Sequence, residues 1–310
     1  MAKALGTRAL ALIVWLLIIS CGMLVNDSAL AQSKAKSGKS SAKKLKEICI
    51  TIDELPSTTS FEEPDIQALH YLILQSLKAH KVKACGFIIS SRVGESWAQL
   101  GEWLNDGHTL GNMTFSAQDL HELGITKFIA DVKAGHKAIE PMLSGFGQKH
   151  RYFRFPYLHY GMTSEAKRQL TMYLEQQSYR VVHATVVPED YLYNLTLQKI
   201  GKYPDSAESE NLLNEYVNHV LDQIERSEGL AMELEGRPIK QTLLLRMNRL
   251  NAIYLDEMLT AIENMGYRFI SIDQAAKDKI YSRPEGYFGG RGVSWLDMLI
   301  LSDPDRTPAQ

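Results

Sequence analysis

Charged side chains stand just beyond several short apolar runs in this chain. Asp53 and Glu54 follow Ile48 to Ile52, Arg154 follows Arg151-Tyr152-Phe153, and Arg246 follows Leu243-Leu244-Leu245. Carboxylates bind zinc. A guanidinium stays protonated while it grips a carboxylate, a phosphate or a sugar oxygen. Asp53 and Arg154 are expected to form an ion pair at such a site. Trp103, Tyr157 and Tyr160 offer flat faces, either for stacking on sugars or for packing. The imidazoles closest in sequence are His108, His159 and His183, and ordinary hydrogen bonding is enough to explain each of them.

The elements that must position these groups alternate along the chain. Strand-like runs are expected at Ile48 to Ile52, Ala84 to Ile89, Arg180 to Val187, Thr242 to Leu245 and Arg268 to Ile272. Between them, Asp65 to His80 sets Ile66, Leu69, Ile73 and Leu77 on one helical face, with Pro64 suited to a helix start. Leu213, Tyr216, Val217, Val220 and Ile224 repeat that spacing. A further helix is expected from Ile253 to Met265, closed by Gly266. Alternating strands and helices imply a mainly parallel sheet wrapped by helices, an α/β fold. In an α/β barrel the carboxyl ends of the strands form the mouth where active sites assemble. Those ends are where Asp53, Glu54, Arg154 and Arg246 fall.

The 310 residues are 45% hydrophobic and 23% charged, enough for a substantial core, and a net charge of -2 gives no general argument for nucleic-acid binding. Lys3 and Arg8, the apolar stretch Ala9 to Val25 and Ala29-Leu30-Ala31 read as a signal segment over 1–31. A retained membrane anchor stays open, as does a lipoprotein signal at Ile18-Ile19-Ser20-Cys21. Each reading puts the folded part outside the cytoplasm, periplasmic or extracellular. Residues 32–46 read as a flexible Lys- and Ser-rich linker. Residues 47–282 read as the barrel. Residues 283–310 read as an irregular tail anchored by Trp295 and Leu296. Cys49 and Cys85 lie inside apolar runs and read as buried thiols, with a disulfide left open.

Several ordered segments together resemble the polysaccharide deacetylase family, the carbohydrate esterases with a chitooligosaccharide-deacetylase (NodB) homology domain. They are Ile50-Thr51-Ile52-Asp53-Glu54-Leu55-Pro56, the stretch Gly107 to Leu120, Arg154-Phe155-Pro156-Tyr157, Thr242 to Asn248, Leu250-Asn251-Ala252 and Gly266 to Ile270. The resemblance implies a distorted (β/α) barrel and metal-dependent hydrolysis of acetyl groups on carbohydrate, with a divalent metal such as zinc. It assigns Asp53 to the catalytic base position and Glu54 to a metal-ligand position held by aspartate in the family. The two remaining ligand positions, histidines in the family, are Met113 and Ala117. Arg246 stands at the late general-acid histidine, and Val187 at the aspartate that tunes it. Asp190, three residues on, matches a different position of one bacterial branch. Arg154 and Pro156 match the third motif, where the resemblance has the arginine orient the catalytic aspartate, and Arg154, Pro156 and Tyr157 are assigned to substrate binding.

A thioether and a methyl group do not replace two imidazoles, since a catalytic zinc normally keeps three protein ligands and a water. No metal or other cofactor is therefore expected, and Glu54, Met113 and Ala117 are read as vestigial. A metal site relocated to His108, His159 and His183 is disfavoured. The function expected is an exported pseudo-enzyme that binds carbohydrate or a peptidoglycan fragment, or regulates an active relative. Two alternatives stay open: an active carbohydrate deacetylase with a rearranged centre, and an envelope interaction protein.

Overall fold

The computed structural model describes residues 45–58, 63–200 and 207–303, with side chains of the second stretch from Ile66 onward. The expected signal segment, and the linker up to Lys44, lie outside the described residues. The elements begin with β1 (Lys46–Leu55), α1 (Glu63–Ala79), β2 (Cys85–Ile88), α2 (Trp97–Asn105), β3 (Thr109–Asn112), α3 (Leu120–Leu123) and α4 (Ile125–Gly145). Then come β4 (Arg151–Phe153), α5 (Ser164–Gln176), β5 (Tyr179–Val181), α6 (Asp190–Ile200) and α7 (Ala207–Glu235). The chain continues through β6 (Lys240–Arg246), α8 (Arg249–Asn264), β7 (Tyr267–Phe269), α9 (Ile272–Ala275) and α10 (Trp295–Leu301).

Every strand pairing is parallel. The order is β5-β4-β3-β2-β1-β6, and β7 pairs the first residues of β1. Beyond β5 the chain turns toward β6. Val186 bridges Leu243, the N–H groups of Thr185 and Val186 donate to Thr242 O, and Leu244 N–H donates to Val186 O. These bonds join the two sheet edges and close a distorted barrel.

β1 shows why the strands seat where they do. Its side chains alternate with a period of two. Ile48, Ile50 and Ile52 enter the layer between the sheet and the helices, with Leu69 and Ile73 of α1 and Leu255 and Met258 of α8. Cys49 points the other way, with Cys85, Phe87, Ile89, Met113 and Tyr152, so this second cluster fills the barrel interior. Cys49 and Cys85 are both buried and both free.

The helical periodicities place Ile66, Leu69, Ile73 and Leu77 of α1, and Tyr216, Val220 and Ile224 of α7, in the core. α8 begins earlier than Ile253, because the Asn248 side chain accepts from Asn251 N–H and caps the helix there. β4 coincides with the run Arg151-Tyr152-Phe153 that precedes Arg154. β3 fell outside the expected set, its four residues too short for an alternation to register. Lys46, read as the end of the linker, opens β1. The tail is not wholly irregular: Ser294 caps α10 by accepting from Asp297 N–H, and Trp295 and Leu296 are buried. Among the described residues no helix is long and apolar enough to cross a membrane.

Candidate functional site

The carboxyl ends of the strands open into a cavity of about 610 Å³. Asp53 and Glu54 reach it from β1, Met113 and Ala117 from the loop after β3, Pro156 and Tyr157 from the loop after β4, and Arg246 from β6. Val187 and Asn194 line it as well. Of the eight residues that the family resemblance assigned to catalysis, metal or substrate, all but one meet at this wall. The exception is Arg154, which is fully buried below it.

Arg154 thus stands under Asp53, where the resemblance has it orient the aspartate, and its burial corrects only its assignment to substrate binding. Its Nη2 donates to Thr51 Oγ1 at 2.8 Å, and its guanidinium lies 4.9 Å from the Phe87 ring centre. Its Nε stands 3.5 Å from Asp53 Oδ1, too far for a strong hydrogen bond. Asp53 Oδ1 and Arg154 Nε and Nη1 are buried with no hydrogen-bond partner. Burial pushes the Asp53 carboxyl up to about 6, against the opposing pull of Arg154 and Arg246.

Glu54 and Arg246 are locked together. Arg246 Nε donates to Glu54 Oε1 at 3.2 Å, its Nη1 donates to Asp190 Oδ1 at 2.5 Å, and its backbone N–H donates to Asp190 Oδ2 at 2.7 Å. The other Glu54 oxygen faces Arg92 Nη1 at 3.5 Å. Asn248 and Asn251 also donate to the fully buried Asp190. The Tyr191 ring covers the guanidinium at 5.0 Å. Burial raises the Glu54 pKa, opposed by Arg246 and then Arg92. The sequence reading placed a tuning aspartate at Val187 and set Asp190 aside. In the fold Asp190 reaches position 246 through the first residue of α6, and Val187 is one apolar part of the wall.

The donor set does not fit a divalent ion at this centre. Of the three ligand positions only Glu54 carries a hard donor, and a guanidinium faces each of its oxygens. The backbone nonetheless keeps unusual conformations there. Glu54, Thr114, Ala117 and Tyr157 all have φ between 54 and 67°. For residues with a side chain this region costs roughly 1–2 kcal/mol, and such strain concentrates at functional sites. Ala117 and Thr114 hold it although neither side chain serves a metal. Gly135 of α4 packs on this loop so closely that a Cβ would stand 2.4 Å from Asn112 Oδ1.

The aromatic candidates separate cleanly. Tyr157 is 61% exposed on the cavity wall. Trp103 is fully buried and donates to His70 Nδ1, so it cannot meet a sugar. Tyr160 packs on Phe155 and His183 and hydrogen bonds His183 Nδ1. His108 accepts from Ala84 N–H, and His183 stacks on Trp295 at 3.8 Å. Neither joins a common site with His159.

His159 instead meets two residues that the sequence reading missed. Among the described residues, Asp119, His121 and His159 bring one donor atom each within 4.8 Å of one another. His159 Nδ1 lies 2.8 Å from Asp119 Oδ1, which also accepts from His121 N–H at 2.9 Å. Burial lowers the His121 pKa, and the neighbouring His159 adds to that. Asp119 is also the N-cap of α3, its side chain accepting from His121 N–H. His121 lies four residues after Ala117, a continuation of the Met113-to-Ala117 spacing that was the available signal. The cavity also takes Gly292 from the tail, where a Cβ would stand 1.8 Å from Tyr157 O.

Residues 40–174 match the polysaccharide deacetylase family. No curated protein matches the chain in sequence. A CE4 family pseudoenzyme from Bacillus anthracis is 17% identical, with 75% of this chain and 66% of that one covered and a TM-score of 0.52. A variant of the peptidoglycan deacetylase PdaC from Bacillus subtilis is 21% identical over 76% and 91% of the two chains, TM-score 0.50. The polysaccharide deacetylase Bc1974 from Bacillus cereus is 16% identical over 73% and 91%, TM-score 0.52. At these identities the likeness is one of fold.

Proposed function

The chain belongs to the polysaccharide deacetylase family, and on that premise we propose that it is a hydrolytically silent member that binds carbohydrate outside the cytoplasm. The observation that carries this reading is the Arg246 guanidinium held between Glu54 and Asp190. In the family, the position of Arg246 belongs to a histidine that exchanges protons. A guanidinium cannot do that near neutral pH. It also supplies the positive charge that the remaining carboxylates need, so they have no requirement for a metal ion. Without an ion at that centre, nothing beside Asp53 lowers the pKa of a bound water or polarises an acetyl carbonyl.

The cavity remains of a size that takes a sugar unit or a short oligosaccharide. Tyr157 and Tyr191 stand exposed on its wall as stacking faces, 61% and 41% exposed. Among fold neighbours, one is a pseudoenzyme and another a peptidoglycan deacetylase. A glycan or peptidoglycan fragment is therefore the ligand we assign, and the signal segment over 1–31 supplies the export that this ligand requires. The ligand and any regulated active relative would then share one compartment.

The test has two arms. Acetylated chito-oligosaccharides and acetylated xylan, incubated with the protein and zinc, should release no acetate above the protein-free control. Calorimetry with the same oligosaccharides or with solubilised peptidoglycan should give binding that Tyr157→Ala weakens. Acetate release that Asp53→Asn abolishes would replace this reading by that of an active enzyme. One observation favours that second reading: Asp53, at about 6, sits close to the range of a working general base.

A further inference from the structure

We propose that Asp119, His121 and His159 form a three-donor site for a borderline divalent transition metal, zinc first, at the edge of the barrel-mouth cavity. Three features carry it. Two imidazoles and a carboxylate already place donor atoms within 4.8 Å of one another. His121 Nε2 is shut off from solvent and has no hydrogen-bond partner. A buried, unsatisfied polar nitrogen is costly, and a metal ion would satisfy it. Finally, His159 faces the cavity. An ion held there keeps a coordination position open toward whatever the cavity binds, the arrangement of a three-ligand site rather than a closed structural one.

The donor chemistry fixes the class of ion. Imidazole selects zinc, copper, nickel or cobalt over calcium and magnesium, which prefer all-oxygen shells. The geometry also states what loading must change. The two rings stack at 4.1 Å with 10° between their planes, so their in-plane lone pairs run side by side. Around a tetrahedral zinc, donor atoms stand roughly 3.3 Å apart, given bonds of about 2.0 Å. Binding therefore turns at least one ring out of the stack and draws the three donors inward. Asp119 has a second task as the cap of α3, so its carboxylate is fixed in place before any ion arrives. His121 and His159 approach from different connections, one on α3 after β3 and one in the loop after β4. The ion would tie those connections together.

This site is distinct from the vestigial centre at Glu54, Met113 and Ala117, and does not depend on the chain being silent. The experiment uses the tag-free, metal-stripped protein, titrated with cobalt(II) followed by visible absorption, and with zinc followed by elemental analysis after gel filtration. One bound equivalent and the spectrum of a four-coordinate cobalt site with nitrogen donors are expected. His121→Ala and His159→Gln should each weaken binding more than about 100-fold, since even loss of an outer partner of a metal ligand costs 10–100-fold. Asp119→Asn keeps the helix cap, because asparagine caps as well as aspartate, yet it should weaken binding as well. Glu54→Gln should bind as the parent does. No bound equivalent, or an equivalent kept by both histidine variants, overturns the proposal. An equivalent lost in Glu54→Gln but kept in His121→Ala would place the ion at the vestigial centre, overturning both this site and the silent reading. Circular dichroism of each variant separates lost binding from lost folding.

Discussion

The Glu54–Arg246–Asp190 network and the Asp119–His121–His159 group touch one cavity, the first through Glu54 and Arg246 and the second through His159, but satisfy their polar atoms in opposite ways. In the first, guanidinium groups meet both Glu54 oxygens, and Asp190 accepts from Arg246 and from two asparagines. Its charges are neutralised from within. In the second, a single carboxylate oxygen takes both contacts and an imidazole nitrogen stays unpartnered. The positions that the family uses for chemistry have thus been sealed by protein cations, while a neighbouring set of donors remains open. The difference teaches that losing catalytic side chains does not leave a void. On the proposed reading, a buried carboxylate that holds no metal needs another cation, and here arginine provides it.

The largest expected effect comes from undoing the seal. The combined variant Glu54→Asp, Met113→His, Ala117→His and Arg246→His should release acetate from acetylated chito-oligosaccharides in zinc-containing buffer. The rate should exceed that of the parent by at least ~100-fold, the lower bound for a positioned acid or base. The backbone is ready for one of these changes: Ala117 has φ 54°, and histidine is enriched in that region among residues with a side chain. If the variant folds and binds zinc but stays silent, the seal is not what separates the two regions.

Next in size is the seal itself. Arg246→Met leaves Asp190 buried without its cation and should destabilise the fold by about 3–5 kcal/mol in urea unfolding. Adding Asp190→Asn should recover much of that loss. Equal loss in the single and double variants would show that packing, not charge, holds the network.

A smaller effect is set by pH. The Asp53 carboxyl is raised to about 6 by burial, above the ordinary aspartate value of 3.8. A raised acid stabilises the folded state below its unfolded pKa, and that contribution is lost as pH rises through 6. The stability of the parent relative to Asp53→Asn should therefore increase by about 1–2 kcal/mol between pH 7 and pH 5. Melting curves across that interval decide it, and a flat difference would mean Asp53 titrates normally. The smallest effect is at the wall: Tyr157→Ala should weaken oligosaccharide binding by about 1 kcal/mol. Its unfolding midpoint should not move, since the ring is 61% exposed.

Much of the architecture was legible because it rests on local pattern. Ile48, Ile50 and Ile52 alternate as a strand must, and the spacing in α1 from Ile66 through Leu69 to Ile73 repeats the turn of a helix. The short strand β3 escaped, since four residues hold too few repeats to count. At the site, Asp53, Glu54, Met113, Ala117, Pro156, Tyr157 and Arg246 do converge, as strand-end positions in a barrel must. The depth of each residue was not legible. Arg154 and Trp103 are buried while Tyr157 is exposed, and nothing in residue type separates these cases.

By itself, the sequence determined the strand–helix alternation, the family and the absence of imidazole at positions 113 and 117. These follow from residue identity and short-range spacing. Only the tertiary structure decided that Asp190 would close on Arg246, and that His121 and His159 would stack beside Asp119. Those contacts join loops far apart along the chain. No local period records which loops meet; the order and closure of the strands beneath them set it.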